Sequence, residues 1–231
     1  MSIFKFKQFS IIQKKSAMKV GTDGVMLGAW ASVNNAKNIL DIGCGTGLIS
    51  LMIAQRNSKA DIIGIEIDKE TSKEANININ NSQWAERISI YNTSLQNYIS
   101  SQKFDLIISN PPFFHKTTFN NKRNIARHSN FLSFDDILNY TASNLSDTGK
   151  FSVIIPKESE NNFIKNAKNH NLYLRKICNI KGNEKTNIVR VMLELSFQKI
   201  KKKTEEIIIE IDRNRYTEDY INLCKDFYLN M

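Results

Sequence analysis

The tetrapeptide Asn110-Pro111-Pro112-Phe113 contains residue types that could hold and activate an amino group. It directly follows Phe104–Ser109, an apolar run typical of a buried strand. Because the two prolines disfavour a helix and lack N–H donors, the motif offers mainly acceptors: backbone carbonyls and the Asn110 side-chain oxygen. Two acceptors facing the hydrogens of an exocyclic amine can localise its lone pair, and Phe113 can stack on the base. Such a site works by positioning and electrostatics, without a nucleophilic side chain.

A glycine-rich segment lies about seventy residues upstream and also follows a strand-like run. It reads Asp41-Ile42-Gly43-Cys44-Gly45-Thr46-Gly47. Its glycines permit a tight turn and let backbone N–H groups approach a ligand closely. The third glycine of a dinucleotide fingerprint would stand at Leu48, so the spacing favours S-adenosylmethionine over NAD. Glu66, at the end of the next strand, is placed to accept hydrogen bonds from both ribose hydroxyls.

Together the two motifs predict a methyltransferase that acts on an exocyclic nitrogen. They leave the substrate open, because adenine N6, guanine N2 and the side-chain amide of a protein glutamine all present a planar nitrogen that could be methylated. A protein that binds RNA on this scaffold without catalysis is the second hypothesis, and the intact Asn110 and Phe113 argue against it. An NAD-dependent oxidoreductase is disfavoured by Leu48 and by the lack of a plausible His or Tyr arrangement for hydride transfer.

The elements that must position these residues alternate between strand-like and helical segments. The candidate strands are Asn38–Ile42, Asp61–Glu66, Arg87–Tyr91, Phe104–Ser109, Phe151–Ile155, Leu172–Cys178 and Ile188–Phe197. This alternation predicts a doubly wound α/β sheet whose ligands bind outside the C-terminal strand ends. Ser133 and Asp136 resemble a capping box that opens a helix over Phe134–Leu145. Asp23 is expected to cap a short apolar helix that extends through Trp30.

The charge pattern indicates a polyanionic partner. The net charge is +9, and no acid precedes Asp23 or lies between Pro111 and Phe134. The first of these two stretches contains five lysines: Lys5, Lys7, Lys14, Lys15 and Lys19. Clustered positive charge is the electrostatic footprint of nucleic-acid binding. The three widely spaced cysteines predict neither a zinc site nor a disulfide framework, and we expect a cytosolic protein without membrane or metal.

With these residues in view, the chain resembles the class I S-adenosylmethionine-dependent methyltransferases that carry an NPP(F/Y) motif. Within that group it is most similar to the tRNA(Val) adenine-N6 methyltransferases, which modify the adenosine directly 3′ of a valine anticodon. The segments that carry the resemblance are Phe9–Gln13, Met18–Trp30, Asp41–Gly47, Ser109–Phe114, Arg123–His128 and Tyr216–Leu229. The resemblance implies a Rossmann-like methyltransferase fold, with a seven-stranded, mostly parallel sheet, helices on both faces and an N-terminal extension.

The resemblance also implies the roles of individual residues. The catalytic residues would be Asn110, Pro111, Pro112 and Phe113. The residues that contact S-adenosylmethionine would be Thr22, Asp23, Asp41, Gly43, Cys44, Gly45, Gly47, Glu66, Ile67 and Ser94. Ser94 departs from the family pattern, which usually has an acid near this position to hold the adenine amino group of the cofactor. Its hydroxyl could accept the same hydrogen bond, so the departure bears on cofactor affinity and not on the reaction class.

The partner is expected to be tRNA, contacted at its anticodon loop. The bases of an A-form helix are hidden, so a target adenine should lie in a loop from which it can be extruded. The segment from His115 to His128 contains no acid and is expected to form a loop over the pocket. The RNA-binding candidates are Lys116, Arg123, Arg127, His128, Lys14 and Lys15.

We expect one domain over residues 1–231. It consists of an N-terminal extension (1–35) on the cofactor and RNA side, a Rossmann-like core (36–198) and a C-terminal tail (199–231). The tail contains an apolar run, Ile207–Ile211, and ends in aromatic residues, which predicts that it packs on the core. We expect a monomer.

Overall fold

The computed structural model describes residues 2–112 and 132–231 of the chain. The elements in chain order are β1 (Ile3–Lys5), β2 (Ser10–Ile12), α1 (Thr22–Trp30), β3 (Asn38–Ile42), α2 (Leu48–Arg56), β4 (Asp61–Glu66), α3 (Lys69–Asn80), β5 (Ile88–Asn92), β6 (Phe104–Ser109), α4 (Phe134–Asn144), β7 (Leu145–Pro156), α5 (Glu160–Asn169), β8 (Tyr173–Lys181), β9 (Ile188–Ser196), β10 (Lys203–Ile208), β11 (Glu210–Asp212), β12 (Arg215–Tyr216) and α6 (Glu218–Cys224). Among these residues, no helix combines the length and apolar character needed to span a bilayer.

A single large sheet organises the molecule. Its eight strands lie in the order β10-β8-β9-β7-β6-β3-β4-β5. All neighbouring strands pair in parallel except at β9, which is antiparallel to both β7 and β8. The carboxyl ends of β3, β4, β6 and β10 therefore meet at one edge, together with the beginning of β9. We call this edge the active edge, because the predicted motifs follow the ends of β3, β4 and β6.

Helices cover both faces of the sheet, because successive strand residues point to opposite sides. In β6, Leu106 and Ile108 belong to the core cluster that contains residues of α1, α2, α3 and α6. The intervening Ile107 belongs to the cluster built with α4 and α5. Burial on both faces explains why these strands are continuous apolar runs. The predicted Rossmann-like α/β fold is confirmed.

The sheet contains one strand more than predicted. The eighth strand, β10, pairs in parallel with β8 at the sheet edge. Its sequence is charged, as is common for edge strands, so it gives only a weak strand signal. Glu205 in β10 accepts a hydrogen bond from the Trp30 indole N–H (2.8 Å) and lies 3.2 Å from the Lys176 ammonium. These contacts hold the tail against α1 and β8.

Two predicted helix starts have different outcomes. The capping box is confirmed: Ser133 Oγ accepts from the Asp136 backbone N–H, and the Asp136 carboxylate accepts from the Ser133 N–H. The prediction for Asp23 was wrong. The residue that precedes the first turn of α1 is Gly21, so Asp23 lies inside that turn and its carboxylate is used elsewhere.

The N-terminal extension is attached to the core by two side chains of α3. The Glu74 carboxylate accepts hydrogen bonds from the backbone N–H groups of Lys14 (2.8 Å), Lys15 (2.9 Å) and Ser16 (3.0 Å). The Asn78 amide bonds both backbone groups of Ile12 and donates to the carbonyl of Thr46 in the glycine loop. The extension therefore lies against the loop, while the single-domain assignment stays a prediction.

Candidate active site

The glycine loop between β3 and α2 has a backbone that only glycine adopts easily. Gly43, Gly45 and Gly47 have φ angles of 67°, 56° and 82°, all in the left-handed region. The loop is tied to the end of the neighbouring β4. The Cys44 N–H donates to the Ile65 carbonyl (3.0 Å) and the Gly45 N–H to the Glu66 carboxylate (3.0 Å). A Cβ built on Gly43 or Gly45 would meet, among the described residues and apart from the chain neighbours, no atom within 4 Å, so space for a ligand borders the loop.

Glu66 joins the loop to a cavity at the active edge. Its Oε2 accepts from Gly45, and its Oε1 accepts from the Asp68 N–H at 2.8 Å. Burial raises the pKa of Glu66, and the backbone hydrogen bonds from Asp68 and Gly45 partly oppose that rise. Each carboxylate oxygen keeps a lone pair beyond the one used by the backbone. Glu66 can therefore accept further hydrogen bonds from a ligand in the cavity.

Asp41 and Cys44 are two buried titratable side chains of the Asp41–Gly47 segment. Asp41 has no exposed surface; its Oδ2 accepts from Ser50 Oγ (2.7 Å) and its Oδ1 has no partner among the described residues. Burial raises the pKa of Asp41 to about 7, with the Ser50 hydrogen bonds opposing the rise. Burial also holds the pKa of the Cys44 thiol well above its usual value. Asp41 thus lies beneath the loop, and its direct contact with a cofactor stays a prediction.

Two cavities flank the glycine loop. The first, which we call the apolar half, has a volume of about 360 Å³ and is walled mainly by apolar side chains, including Ile42, Ile65 and Leu95. The second, which we call the charged half, has a volume of about 460 Å³. The residues that line both halves are Met18, Gly43, Gly45 and Asn110. The halves are therefore parts of one cleft that passes over the loop.

The apolar half contains five of the predicted cofactor residues: Gly43, Gly45, Glu66, Ile67 and Ser94. The carbonyls of Glu66 and Ile67 accept from the Asn92 side-chain amide (2.9 and 3.0 Å), which fixes the chain where it leaves β4. Ser94 begins a short 3₁₀ turn, and its carbonyl accepts from the backbone N–H of Tyr98 at 3.1 Å. The turn places Ser94 on the cavity wall.

The charged half contains an ion pair that the sequence did not reveal. Asp23 Oδ2 lies 2.9 Å from Arg190 Nε, and each side chain is 32% exposed. Both residues line the cavity together with Thr22 and Cys44. Arg190 lies near the start of the antiparallel β9, so this strand brings its first residues to the active edge. Its signal in the sequence is an arginine between the apolar residues Val189 and Val191.

Asn110 lies where the two halves meet. It follows Ser109, whose hydroxyl donates to the Ile42 carbonyl (3.0 Å) and joins the ends of β6 and β3. A Cβ on Gly24 of α1 would lie 3.7 Å from Asn110 Nδ2, so the glycine lets α1 approach this side chain closely. Pro112 lines the apolar half, and Pro111 is buried.

Five predicted site residues lie outside the described residues. They are Phe113, Lys116, Arg123, Arg127 and His128. Of the remaining RNA-binding candidates, Lys14 and Lys15 both have exposed side chains. The Lys15 ammonium lies 2.7 Å from the Glu70 carboxylate, a contact that raises the pKa of Lys15 and lowers that of Glu70 to about 2. An exposed pair of this kind is weak, so Lys15 can exchange Glu70 for another anion.

The N-terminal extension also provides a floor of the cleft that was not predicted from the sequence. Ser16, Ala17 and Met18 line the apolar half. They are held there by the hydrogen bonds to Glu74, and Gln13 accepts from the Val20 N–H at 2.7 Å. The five lysines give this region its charge, while its contribution to the wall of the apolar half comes from the uncharged Ser16, Ala17 and Met18.

Comparisons with known proteins agree with this arrangement. A sequence model of the family described as "Methyltransferase small domain" matches residues 25–166. A protein from Trichodesmium erythraeum, named tRNA1(Val) (adenine(37)-N6)-methyltransferase, is 45% identical, over 98% of this chain and 97% of its own. A protein of the same name from Flavobacterium psychrophilum is 43% identical, over 99% of this chain and 100% of its own.

A solved structure from Agrobacterium tumefaciens, described as a predicted O-methyltransferase, superimposes on this chain with a TM-score of 0.69. The alignment covers 89% of this chain and 96% of that chain, at 17% sequence identity. At this identity the likeness shows the fold alone.

Proposed function

We propose that this chain, which belongs to the family of tRNA1(Val) (adenine(37)-N6)-methyltransferases, transfers a methyl group to the N6 nitrogen of adenosine 37 in tRNA1(Val). The observation that carries the proposal is the position of Asn110. This side chain follows β6 and lines both halves of the cleft that passes over the glycine loop. An amine held by Asn110 would therefore lie beside any methyl donor that spans the cleft.

The cleft fits S-adenosylmethionine in both of its halves. The apolar half offers Ile42, Ile65 and Leu95 to an adenine ring and the Glu66 carboxylate to the ribose hydroxyls. The charged half offers Asp23 to an ammonium group and Arg190 to a carboxylate, the two charges of an amino acid. When bound, S-adenosylmethionine supplies an electrophilic methyl group on its sulfonium sulfur.

The work of the protein at the target nitrogen is positioning. The amide oxygen of Asn110 and the carbonyl oxygens of the proline segment accept the two N–H groups of an adenine amine. These hydrogen bonds draw the lone pair out of the ring and aim it at the methyl donor, without covalent catalysis. After transfer, the nitrogen loses one of its protons to solvent, which restores a neutral base.

The choice of adenine over guanine or a protein glutamine is supported by the relatives. Two proteins that are 43% and 45% identical and match nearly end to end carry the adenine-37 name. Position 37 lies in the anticodon loop, where a base can be extruded without opening a helix. Exposed lysines of the N-terminal extension, including Lys14 and Lys15, supply charge for the RNA backbone.

The proposal is tested by nucleoside mass spectrometry of an unmodified valine tRNA incubated with the protein and S-adenosylmethionine. We expect N6-methyladenosine, and we expect it to vanish when adenosine 37 is replaced by guanosine. A methylated guanosine in the unaltered tRNA would overturn the assigned substrate. Absence of methyl transfer from a protein that binds S-adenosylmethionine in calorimetry would overturn the proposed reaction.

A further inference from the structure

A third cavity lies beside the cleft and has no part in the reaction described above. Its volume is about 610 Å³, and aromatic side chains from both ends of the chain wall it: Phe4, Tyr216, Tyr220 and Tyr228. We call it the aromatic pocket. Its volume falls in the range of small-ligand sites. Gly21 and Thr22 line both this pocket and the charged half of the cleft, so the two cavities are separated by a short stretch of backbone.

The aromatic walls are held in place by contacts between the extension and the tail. Phe6 and Tyr228 form an isolated antiparallel bridge, and the Tyr228 ring lies 6.1 Å from that of Phe4. The rings of Tyr216 and Tyr220 are 5.2 Å apart. Tyr220 is buried, whereas Tyr216 is 37% exposed. Among the four rings, Tyr220 is therefore buried, Phe4 and Tyr228 are partly exposed, and Tyr216 is the most exposed.

Ile209, Glu210 and Tyr216 of the pocket wall follow the carboxyl end of β10, at the active edge of the sheet. Tyr216 belongs to β12, in the hairpin that follows the carboxyl end of β10, and β10 runs parallel to β8. That edge also contains Asn110 and the glycine loop. A polynucleotide whose target base lies at Asn110 would pass the mouth of the pocket with its neighbouring nucleotides.

The chemistry of the pocket suits a nucleobase better than a phosphate. Aromatic rings offer π-faces on which any base can stack. Glu210, which also lines the pocket, would repel a phosphate but can accept a hydrogen bond from an amino group on a base edge. Lys5 lines the pocket too, and Lys19 lines the adjoining charged half, so cations lie nearby for the phosphates that flank an inserted base.

We propose that the aromatic pocket takes a second extruded base of the RNA, one next to the methylated adenosine, stacked on Tyr216. The inference rests on the proposed function, because it needs an RNA substrate at Asn110. It adds a binding site that anchors the anticodon loop through a neighbouring base while the target base is turned into the active site.

The test uses the full chain and valine tRNA in equilibrium binding. Tyr216→Leu keeps apolar bulk but removes the π-face, and we expect it to weaken tRNA binding about ten- to a hundredfold. Tyr216→Trp should bind tRNA as well as the unaltered protein does. The matched control is Tyr173→Leu at the opposite edge of the sheet, where the ring lies under the Lys199 ammonium. It should leave tRNA affinity unchanged. Equal tRNA affinities for Tyr216→Leu and Tyr173→Leu would overturn the proposal.

A second arm keeps the unaltered protein and changes the RNA. Two abasic tRNAs are compared with intact tRNA, one lacking the base at position 36 and the other lacking the base at position 38. One of the two should bind the protein more weakly than intact tRNA does. At that position Tyr216→Leu should cause no further loss. If neither abasic tRNA binds more weakly, the pocket is not a base site. Methylation of intact tRNA by the unaltered protein is measured in parallel, so a failure of the aromatic pocket is distinguished from a failure of the proposed reaction.

Discussion

The two halves of the cleft are built in different ways. The apolar half lies where the parallel strands β3, β4 and β6 end, and its key residues follow those strands directly in the sequence. The charged half joins Asp23 in α1 to Arg190 in β9, which are 167 positions apart. The carboxyl ends of parallel strands lie at one edge of a sheet, so motifs that follow such strands identify the residues of the apolar half. The charged half depends on β9, which is antiparallel to its neighbours.

The largest effect on methyl transfer is expected at Asn110, which lines both halves of the cleft. Asn110→Ala removes the acceptor that we propose for the reacting amine, so the rate of methyl transfer should fall on the order of 10²- to 10³-fold. S-adenosylmethionine affinity should stay near normal, because both halves remain intact. Single-turnover methylation of valine tRNA and calorimetry measure the two quantities.

Asn97→Ala is the matched control for this substitution. Asn97 is exposed in the 3₁₀ turn next to the apolar half and lines neither cavity. Its removal should leave the rate unchanged. An Asn110→Ala protein that keeps most of its activity would refute the role given to Asn110.

The next effect is expected in the apolar half. Glu66→Gln removes a charged acceptor that also holds the Gly45 N–H. Hydrogen bonds to a charged group typically account for about ten- to a hundredfold in affinity, so S-adenosylmethionine binding should weaken by that factor. Glu70→Gln is the control, since Glu70 is an exposed acid that lies in the neighbouring α3 and pairs with Lys15 and Lys73. Calorimetry that finds equal affinities for the two variants would remove Glu66 from the site.

Much of the fold can be predicted from the sequence because buried parallel strands appear in it as continuous apolar runs. Phe104–Ser109 is predicted and observed with the same bounds, as are Asn38–Ile42 and Asp61–Glu66. By contrast, β10 contains the consecutive acids Glu205 and Glu206, which pair with Lys176, Lys181 and Trp30, so its strand character depends on partners far along the chain.

The distinction between local sequence patterns and contacts far apart along the chain also applies to the site. The glycine loop and Glu66 belong to local strand-loop patterns, and their place in the cleft follows from those patterns. Asp23 was expected to cap α1, but it forms an ion pair with Arg190, which only the antiparallel pairing of β9 brings within reach. The floor formed by Ser16 depends on the buried Glu74 of α3, an acid that shows no special pattern in the sequence.

The smallest effect on S-adenosylmethionine affinity is expected in the charged half. Its measurement tests directly whether the two halves have separate roles. Arg190→Met removes the positive charge that we assign to the cofactor carboxylate. Because the Asp23–Arg190 pair is about one-third exposed, solvent screens it, and S-adenosylmethionine affinity should fall only about three- to tenfold.

Methylthioadenosine, which lacks the amino acid end, separates the two halves in calorimetry. Arg190→Met should bind it as well as the unaltered protein does, whereas Glu66→Gln should lose affinity for both ligands. Arg175→Met is the control, because Arg175 lies near the start of β8 at the opposite edge and faces Glu194 (3.7 Å). If Arg190→Met weakens both ligands equally, Arg190 acts on the cleft as a whole. The division into an apolar half for the nucleoside and a charged half for the amino acid would then be wrong.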